Sequence, residues 1–207
     1  MSQEIIKKAE SLSNRNRFGV LFVLGGGLWI FVITAGFSIL AHEEFTPVAN
    51  LPQVSIFPRA SGIKLASDKP TLLFFAHPHC PCTRASLHEL DGLLSNTGSK
   101  VSVLIVFIIP KGVQPGWEEG DLWNSAANIP GIRVLRDQDG REATRFGVKG
   151  SGHVLVYDPS GKLLFSGGIT PSRGHEGDNP GRSAVIDLVL NGHTLVNHTP
   201  VFGCSLL

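Results

Sequence analysis

The stretch "FFAHPHCPCTRASLHEL", Phe74 to Leu90, decides how the chain reads. It joins the end of an apolar run to a segment with leucines at helical spacing. At the junction stands Cys80-Pro81-Cys82, two of the chain's three cysteines. A residue before proline is pushed out of the helical region, whereas proline suits the first helical position, where its missing N–H would have been unsatisfied anyway. Cys80 is therefore expected at the N-cap of a helix, with the N–H groups of Cys82 and Thr83 aimed at its sulfur. Those donors and the helix dipole stabilise a thiolate and lower its pKa from about 8.5. Cys80 is the expected nucleophile.

In a continuous helix Cys82 would point about 200° away from Cys80, since each residue turns about 100°. A Cys80–Cys82 bridge is feasible only because Cys80 lies outside the helix. Its small ring would be strained and easily reduced, a reactive bond rather than a structural one. The same residues admit a metal. His77, His79, Cys80 and Cys82 place two imidazoles and two thiolates within six residues, a set soft enough for Cu(I) and usable by Zn. Cys204, in "VFGC" near the C-terminus, is the odd thiol. It can resolve an oxidised Cys80, bridge to a partner, or be an ordinary tail residue, and the pattern does not choose.

Working outward, "TLLFFAH" is the short apolar run of a buried strand, and "ASLHELDGLL" extends a helix from Pro81 to about Ser95. "VSVLIVFII", 101–109, is a second buried strand, followed by a helix over 118–128 and a short strand at "IRVLRD". "DGREATRFG" reads as a helix of two turns stopped by Gly147. "HVLVYD" and "KLLFSG" form a hairpin, and "GRSAVIDLVL" is a last helix with Gly192 past its end. Strand–helix–strand units feeding one sheet imply a parallel portion, and the hairpin adds antiparallel edges. The fold class is an α/β sandwich on a mixed sheet.

Upstream, Phe18 to Ala41 runs for 24 residues without a charge. As a helix it spans roughly 36 Å, enough for a hydrocarbon core of about 30 Å. It is too long for a typical signal-peptide core, and Ile39-Leu40-Ala41 is a poor cleavage site. Lys7, Lys8, Arg15 and Arg17 precede it, and no Lys or Arg follows until Arg59. The positive-inside rule puts 1–17 in the cytoplasm and the rest beyond a bacterial inner membrane, in the periplasm, where disulfides persist. The expected layout is a single-pass anchor at 18–41, a proline-containing linker or irregular lead-in at 42–60, a domain at 61–192 and a tail at 193–207. A formal charge of +1, with no basic cluster beyond the N-terminus, gives no support for a nucleic-acid partner.

Beyond the strand–Cys–helix junction, the chain carries Arg84-Ala85, Glu89-Leu90 and "FGVKGSGHVLVYDPSGKL", which looks like Y-G-V-x-G-T-P-T-x-x-x-x-D-x-x-G-x-x. Over 62–192 this resembles membrane-anchored, extracytoplasmic thioredoxin-like proteins of the TlpA and ResA type. "HPHCPC", "FSGGITPSRGHEGDNPG" and "TPVFGC" are similar to the thioredoxin-like group called RedB. The resemblance implies a thioredoxin-like fold, no cofactor, and thiol–disulfide exchange with a protein thiol or disulfide partner; on the residues present, Cys80 is expected to attack and Cys82 to resolve. Two positions depart from the pattern. The family's second cysteine falls on Thr83, and the position of its cis-proline falls on Gly152. A thiol followed three residues later by threonine also resembles thiol-peroxidase sites.

In the implied fold the strand at 153–158 runs antiparallel to 71–76, which brings Gly152 near Cys80. The long glycine-rich loop 166–181 then emerges at the same end. It lacks the Gly-Lys-Ser/Thr ending of a P-loop, which excludes nucleotide binding by that route. Arg173 and His175 are expected beside the cysteines, where positive charge favours a thiolate.

Overall fold

The computed structural model describes residues 2–49 and 54–206, with side chains from Gly19 onward. The chain divides into a helical unit, Met1–Glu44, and a compact unit, Phe45–Leu207. Helix α1 (Ser2–Phe45) contains a largely apolar stretch, Gly19–Phe45, of 27 residues, with a mean hydropathy of 2.2 over its most apolar 18 residues. At 1.5 Å per residue it is about 40 Å long, sufficient to cross a bilayer. Phe22, Val23, Trp29 and Phe37 on it are exposed, unlike the apolar side chains of a soluble core helix. The Thr34 and Ser38 hydroxyls donate to carbonyls one turn back, at Ile30 and Thr34, which hides these polar groups within the helix.

In the compact unit a five-stranded sheet has the order β3-β2-β1-β4-β5. Strand β1 (Thr71–Ala76) lies at the centre, buried on both faces. It pairs in parallel with β2 (Ser102–Ile109), which pairs in parallel with β3 (Ile132–Gln138). On its other side β1 pairs antiparallel with β4 (His153–Tyr157), followed antiparallel by β5 (Leu163–Gly168). Helices α2 (Pro81–Thr97), α3 (Asp121–Ala127) and α5 (Pro180–Asn191) cover one face through Leu87, Leu90, Leu122, Val185 and Leu188. The other face holds α4 (Arg141–Arg145) and the following Phe146. This is the thioredoxin-like arrangement, a mixed sheet flanked by helices.

Four details differ from the expectations. Helix α3 begins at Asp121 rather than 118, because the buried Glu118 carboxylate is drawn into an ion pair with the half-exposed Arg136 and residues 116–120 turn instead. The Arg136 hydrogen bond holds the Glu118 carboxyl below its usual pKa. Helix α4 has five residues, a little over one turn, and starts from Gly140 in the left-handed region. Of the 42–60 segment, residues 42–45 complete α1, and residues 46–49 and 54–60 are built into the compact unit. Phe57 donates its N–H to the Gly161 carbonyl at 2.7 Å and sets its ring against Phe146 and Tyr157. Residues 193–206 likewise form part of the unit, with Val201 and Leu206 buried.

His153, at the start of β4, is 2% exposed and shares a hydrogen bond of 2.9 Å with the Ser166 hydroxyl. Burial, with a smaller contribution from His198, pushes its pKa down to about 3. The unfolded chain protonates this ring near 6.5, so between about 6.5 and about 3 the unfolded state binds the extra proton. This contribution to stability is full above the unfolded pKa and is lost as pH falls, by about 1.4 kcal/mol per pH unit. His153→Gln should therefore flatten the loss of stability on acidification, measured as urea midpoints from about pH 7 to about pH 4.

Candidate functional site

Strand β1 ends at Ala76 and the chain turns through His77-Pro78-His79 into α2, with the Cys80 N–H on the His77 carbonyl at 3.2 Å. Cys80 is the N-cap, in an extended conformation (φ −85°, ψ 118°), and Pro81 is the first helical residue. Its carbonyl accepts the Thr83 N–H at 3.0 Å. Its sulfur accepts no capping hydrogen bond, contrary to expectation. It is joined instead to Cys204, 124 residues away in sequence, with the two Cα atoms 6.2 Å apart. The bridge is thus Cys80–Cys204 and not Cys80–Cys82, and Cys82 is the free thiol. The physical reason lies in the tail, which lays Cys204 beside the N-cap. Cys82, inside the helix, sets its sulfur towards Gly174, where a Cβ would stand 3.9 Å from it. All three sulfurs nevertheless lie within 4.8 Å of one another.

The tail reaches this place by strand-like pairing. Ser166 in β5 donates its N–H to the Asn197 carbonyl and accepts the Thr199 N–H, and Thr199 Oγ1 donates to the Gly168 carbonyl at 2.8 Å. Farther on, the Ser151 N–H donates to the Cys204 carbonyl and the Leu206 N–H to the Lys149 carbonyl, each at 2.8 Å. Gly203 must be glycine at this approach, since a Cβ would fall 2.0 Å from the Ser151 oxygen.

Ser151, 1% exposed, ties the two cysteine segments together. Its hydroxyl accepts the His77 N–H at 2.9 Å and lies 2.7 Å from Thr83 Oγ1, which itself donates to the His77 carbonyl. Thr83 is therefore a buried hydrogen-bonding residue at the turn. Gly152 has φ +87° and donates its N–H to the Phe75 carbonyl at 2.8 Å. Proline can supply neither that angle nor that donor, so this backbone excludes the family's residue.

The loop after β5 closes the site from the other side. Arg173 donates to the Gly203 carbonyl at 2.6 Å and to the Thr46 carbonyl at 3.2 Å, beside Cys204. His175 is exposed, and its Nδ1 lies 3.0 Å from the Arg173 carbonyl. The loop's base is held by Glu89 of α2, 3% exposed, which accepts from Arg182 at 2.6 Å and from the Gly177 N–H at 2.7 Å.

The imidazoles do not join the sulfurs. His77 Nδ1 accepts the His79 N–H at 3.1 Å, and His79 Nε2 donates to the Trp117 carbonyl at 2.8 Å. Both rings pack on Trp117, with centroids at 5.6 and 4.3 Å. Burial first, and the neighbouring His79 second, push the His77 pKa below its ordinary value. The expected His77/His79/Cys80/Cys82 metal set is thereby replaced by Cys80, Cys82 and Cys204, the potential ligand group among the described residues. Ser151, Gly203 and Trp117 were not expected at the site. The "GSG" at 150–152 and the glycine before Cys204 were the available signals.

No protein-family model and no curated protein matches the chain. Solved structures do share its fold. An uncharacterized conserved protein from Geobacillus kaustophilus is 20% identical, with a TM-score of 0.57 over 78% of this chain and 92% of that one. A hypothetical protein from Sinorhizobium meliloti 1021 is 17% identical, with a TM-score of 0.57 over 78% and 94%. The pneumococcal exposed lipoprotein thioredoxin from Streptococcus pneumoniae strain TIGR4 is 21% identical over 60% and 86%, with a TM-score of 0.44.

Gly203→Ala should push the tail off Ser151, lowering stability by about 1–3 kcal/mol as overpacking does. It should also raise the reduced fraction of Cys80 and Cys204 at a fixed dithiol/disulfide ratio, read by alkylation and mass.

Proposed function

We propose that the protein is a membrane-anchored, extracytoplasmic thiol–disulfide oxidoreductase whose working bond is Cys80–Cys204. The observation that carries this is the gathering of three sulfurs within 4.8 Å at the N-terminus of α2, two of them already bonded. The Gly19–Phe45 stretch would serve as the anchor, and the basic residues before it orient the compact unit to the periplasmic side.

Accessibility and leaving-group chemistry assign the roles. Cys80 is 2% exposed, whereas Cys204 is partly exposed. A partner thiolate therefore attacks the Cys204 sulfur, the Cys80–Cys204 bond breaks, and Cys80 leaves as a thiolate. The helix N-terminus stabilises that thiolate, which favours its departure. The partner's second thiolate then attacks the partner sulfur of the mixed disulfide, forming the partner's disulfide and releasing Cys204. Two electrons and two protons have passed from the partner dithiol to the protein. The reverse sequence oxidises the protein, and the partner's potential sets the direction.

The test is a redox titration of the full chain in detergent, equilibrated across graded dithiol/disulfide ratios and read cysteine by cysteine by alkylation and mass. A reversible two-electron step on Cys80 and Cys204, with Cys82 alkylated throughout, is the expected result. A bridge that survives the most reducing condition is a structural staple, and that outcome overturns the proposal. A step confined to Cys80 and Cys82 would return the chemistry to the Cys-Pro-Cys pair.

A further inference from the structure

Exchange between Cys80 and Cys204 leaves Cys82 without a task, although its sulfur stands with the other two. We infer that the reduced protein holds a trithiolate site for a soft monovalent cation, Cu(I), formed by Cys80, Cys82 and Cys204. The site exists only when the bridge is open, so it rests on Cys80–Cys204 being reducible as set out above.

Geometry is the first support. Three sulfurs around one ion, with metal–thiolate bonds of about 2.3 Å as for zinc, stand about 4 Å apart. The sulfurs here are all within 4.8 Å of one another, so small side-chain rotations suffice once the bond is broken. Donor chemistry selects the ion. Among the described residues no His, Asp or Glu atom joins the three thiols. Structural zinc sites are almost always four-coordinate, whereas Cu(I) is selected by soft thiolates.

The surroundings suit a negatively charged site. The N-terminus of α2, a helix of 17 residues, faces it, and the Arg173 guanidinium is held on the Gly203 carbonyl beside Cys204. Cys82 and Cys204 are partly exposed, which leaves an approach for the ion, and Gly174 presents no side chain against the Cys82 sulfur.

Loading couples to redox state with a defined balance. A dithiol donor gives two electrons and two protons to the Cys80–Cys204 bond, yielding two protein thiols and the donor's own disulfide. Cu(I) then replaces the thiol protons and releases up to three of them, so affinity rises with pH. A partner disulfide that takes two electrons from Cys80 and Cys204, and two protons, to become its dithiol re-forms the bridge, removes two of the three ligands and releases the ion.

The experiment uses the full chain in detergent, reduced anaerobically with a phosphine. The phosphine takes up the oxygen of water to become its oxide as the bridge gains two hydrogens. Alkylation and mass first count three free thiols. Cu(I) is then titrated against a chromophoric Cu(I) chelator, alongside X-ray absorption at the copper edge. The expected result is one Cu(I) per chain, a sulfur-only shell of three, and no uptake by the unreduced protein. Cys82→Ser keeps the bridge, verified by mass, and should lose affinity by more than about 100-fold, beyond the 10–100-fold typical of losing an outer-shell partner. His77→Ala with His79→Ala should bind as the parent does. Uptake unchanged in Cys82→Ser, nitrogen in the copper shell, or no uptake by a chain with three free thiols would overturn the site while leaving the redox proposal standing. A bridge that resists the phosphine would overturn both.

Discussion

The hydrogen bond from the Ser151 N–H to the Cys204 carbonyl is the constraint on which the site depends. Cys204 is 124 residues from Cys80, a separation at which chain entropy strongly opposes a chance meeting of two thiols. Pairing of the tail with residues 149–151 offsets that opposition by holding Cys204 beside the N-cap through contacts other than the covalent bond. The same Ser151 side chain grips the other cysteine's segment, through the His77 N–H and Thr83 Oγ1. One buried serine thus bonds to both the cysteine turn and the tail, beside the Gly152–Phe75 and Leu206–Lys149 backbone bonds. Gly203 is the steric half of this arrangement, because a tail carrying any Cβ there could not lie so close.

Beneath these contacts lies an apolar base. β1 is buried on both faces and continuous with α2 through a short turn, so Cys80 is carried by the buried core of the unit. Tail and loop are laid over that base, the tail through the buried Val201 and Leu206 as well as its hydrogen bonds. Glu89 and Arg182 hold the loop's base against α2, and Arg173 holds its tip against the tail. The site is therefore assembled from one core element and two covers. Opening the Cys80–Cys204 bond leaves the covers held by hydrogen bonds, the Glu89–Arg182 ion pair and the buried side chains of Val201 and Leu206.

How much of this was legible in the sequence differs by element. The strands and long helices were, because apolar runs and 3.6-residue spacing report burial directly. So was Cys80 at an N-cap, because Pro81 restricts its predecessor by local sterics. Short helices were less so. Glu118 and Glu119 are helix-compatible, but Arg136, a residue of β3, claims both carboxylates. The histidines beside the cysteines suggested ligands by proximity in sequence, yet backbone direction turns one of them to the Trp117 carbonyl.

By itself the sequence determined the mixed α/β layering, the apolar N-terminal helix and the cysteine at the strand–helix junction. Each follows from interactions between residues close along the chain or from a hydrophobic period that any core would read alike. Only the tertiary structure decided that Cys80 pairs with Cys204, that Cys82 remains free beside the bridge, and that Ser151 and Arg173 hold the tail. Those outcomes depend on where a sheet edge, a loop and a terminus come to lie in space. Sequence spacing carries no information about contacts made at a separation of 124 residues.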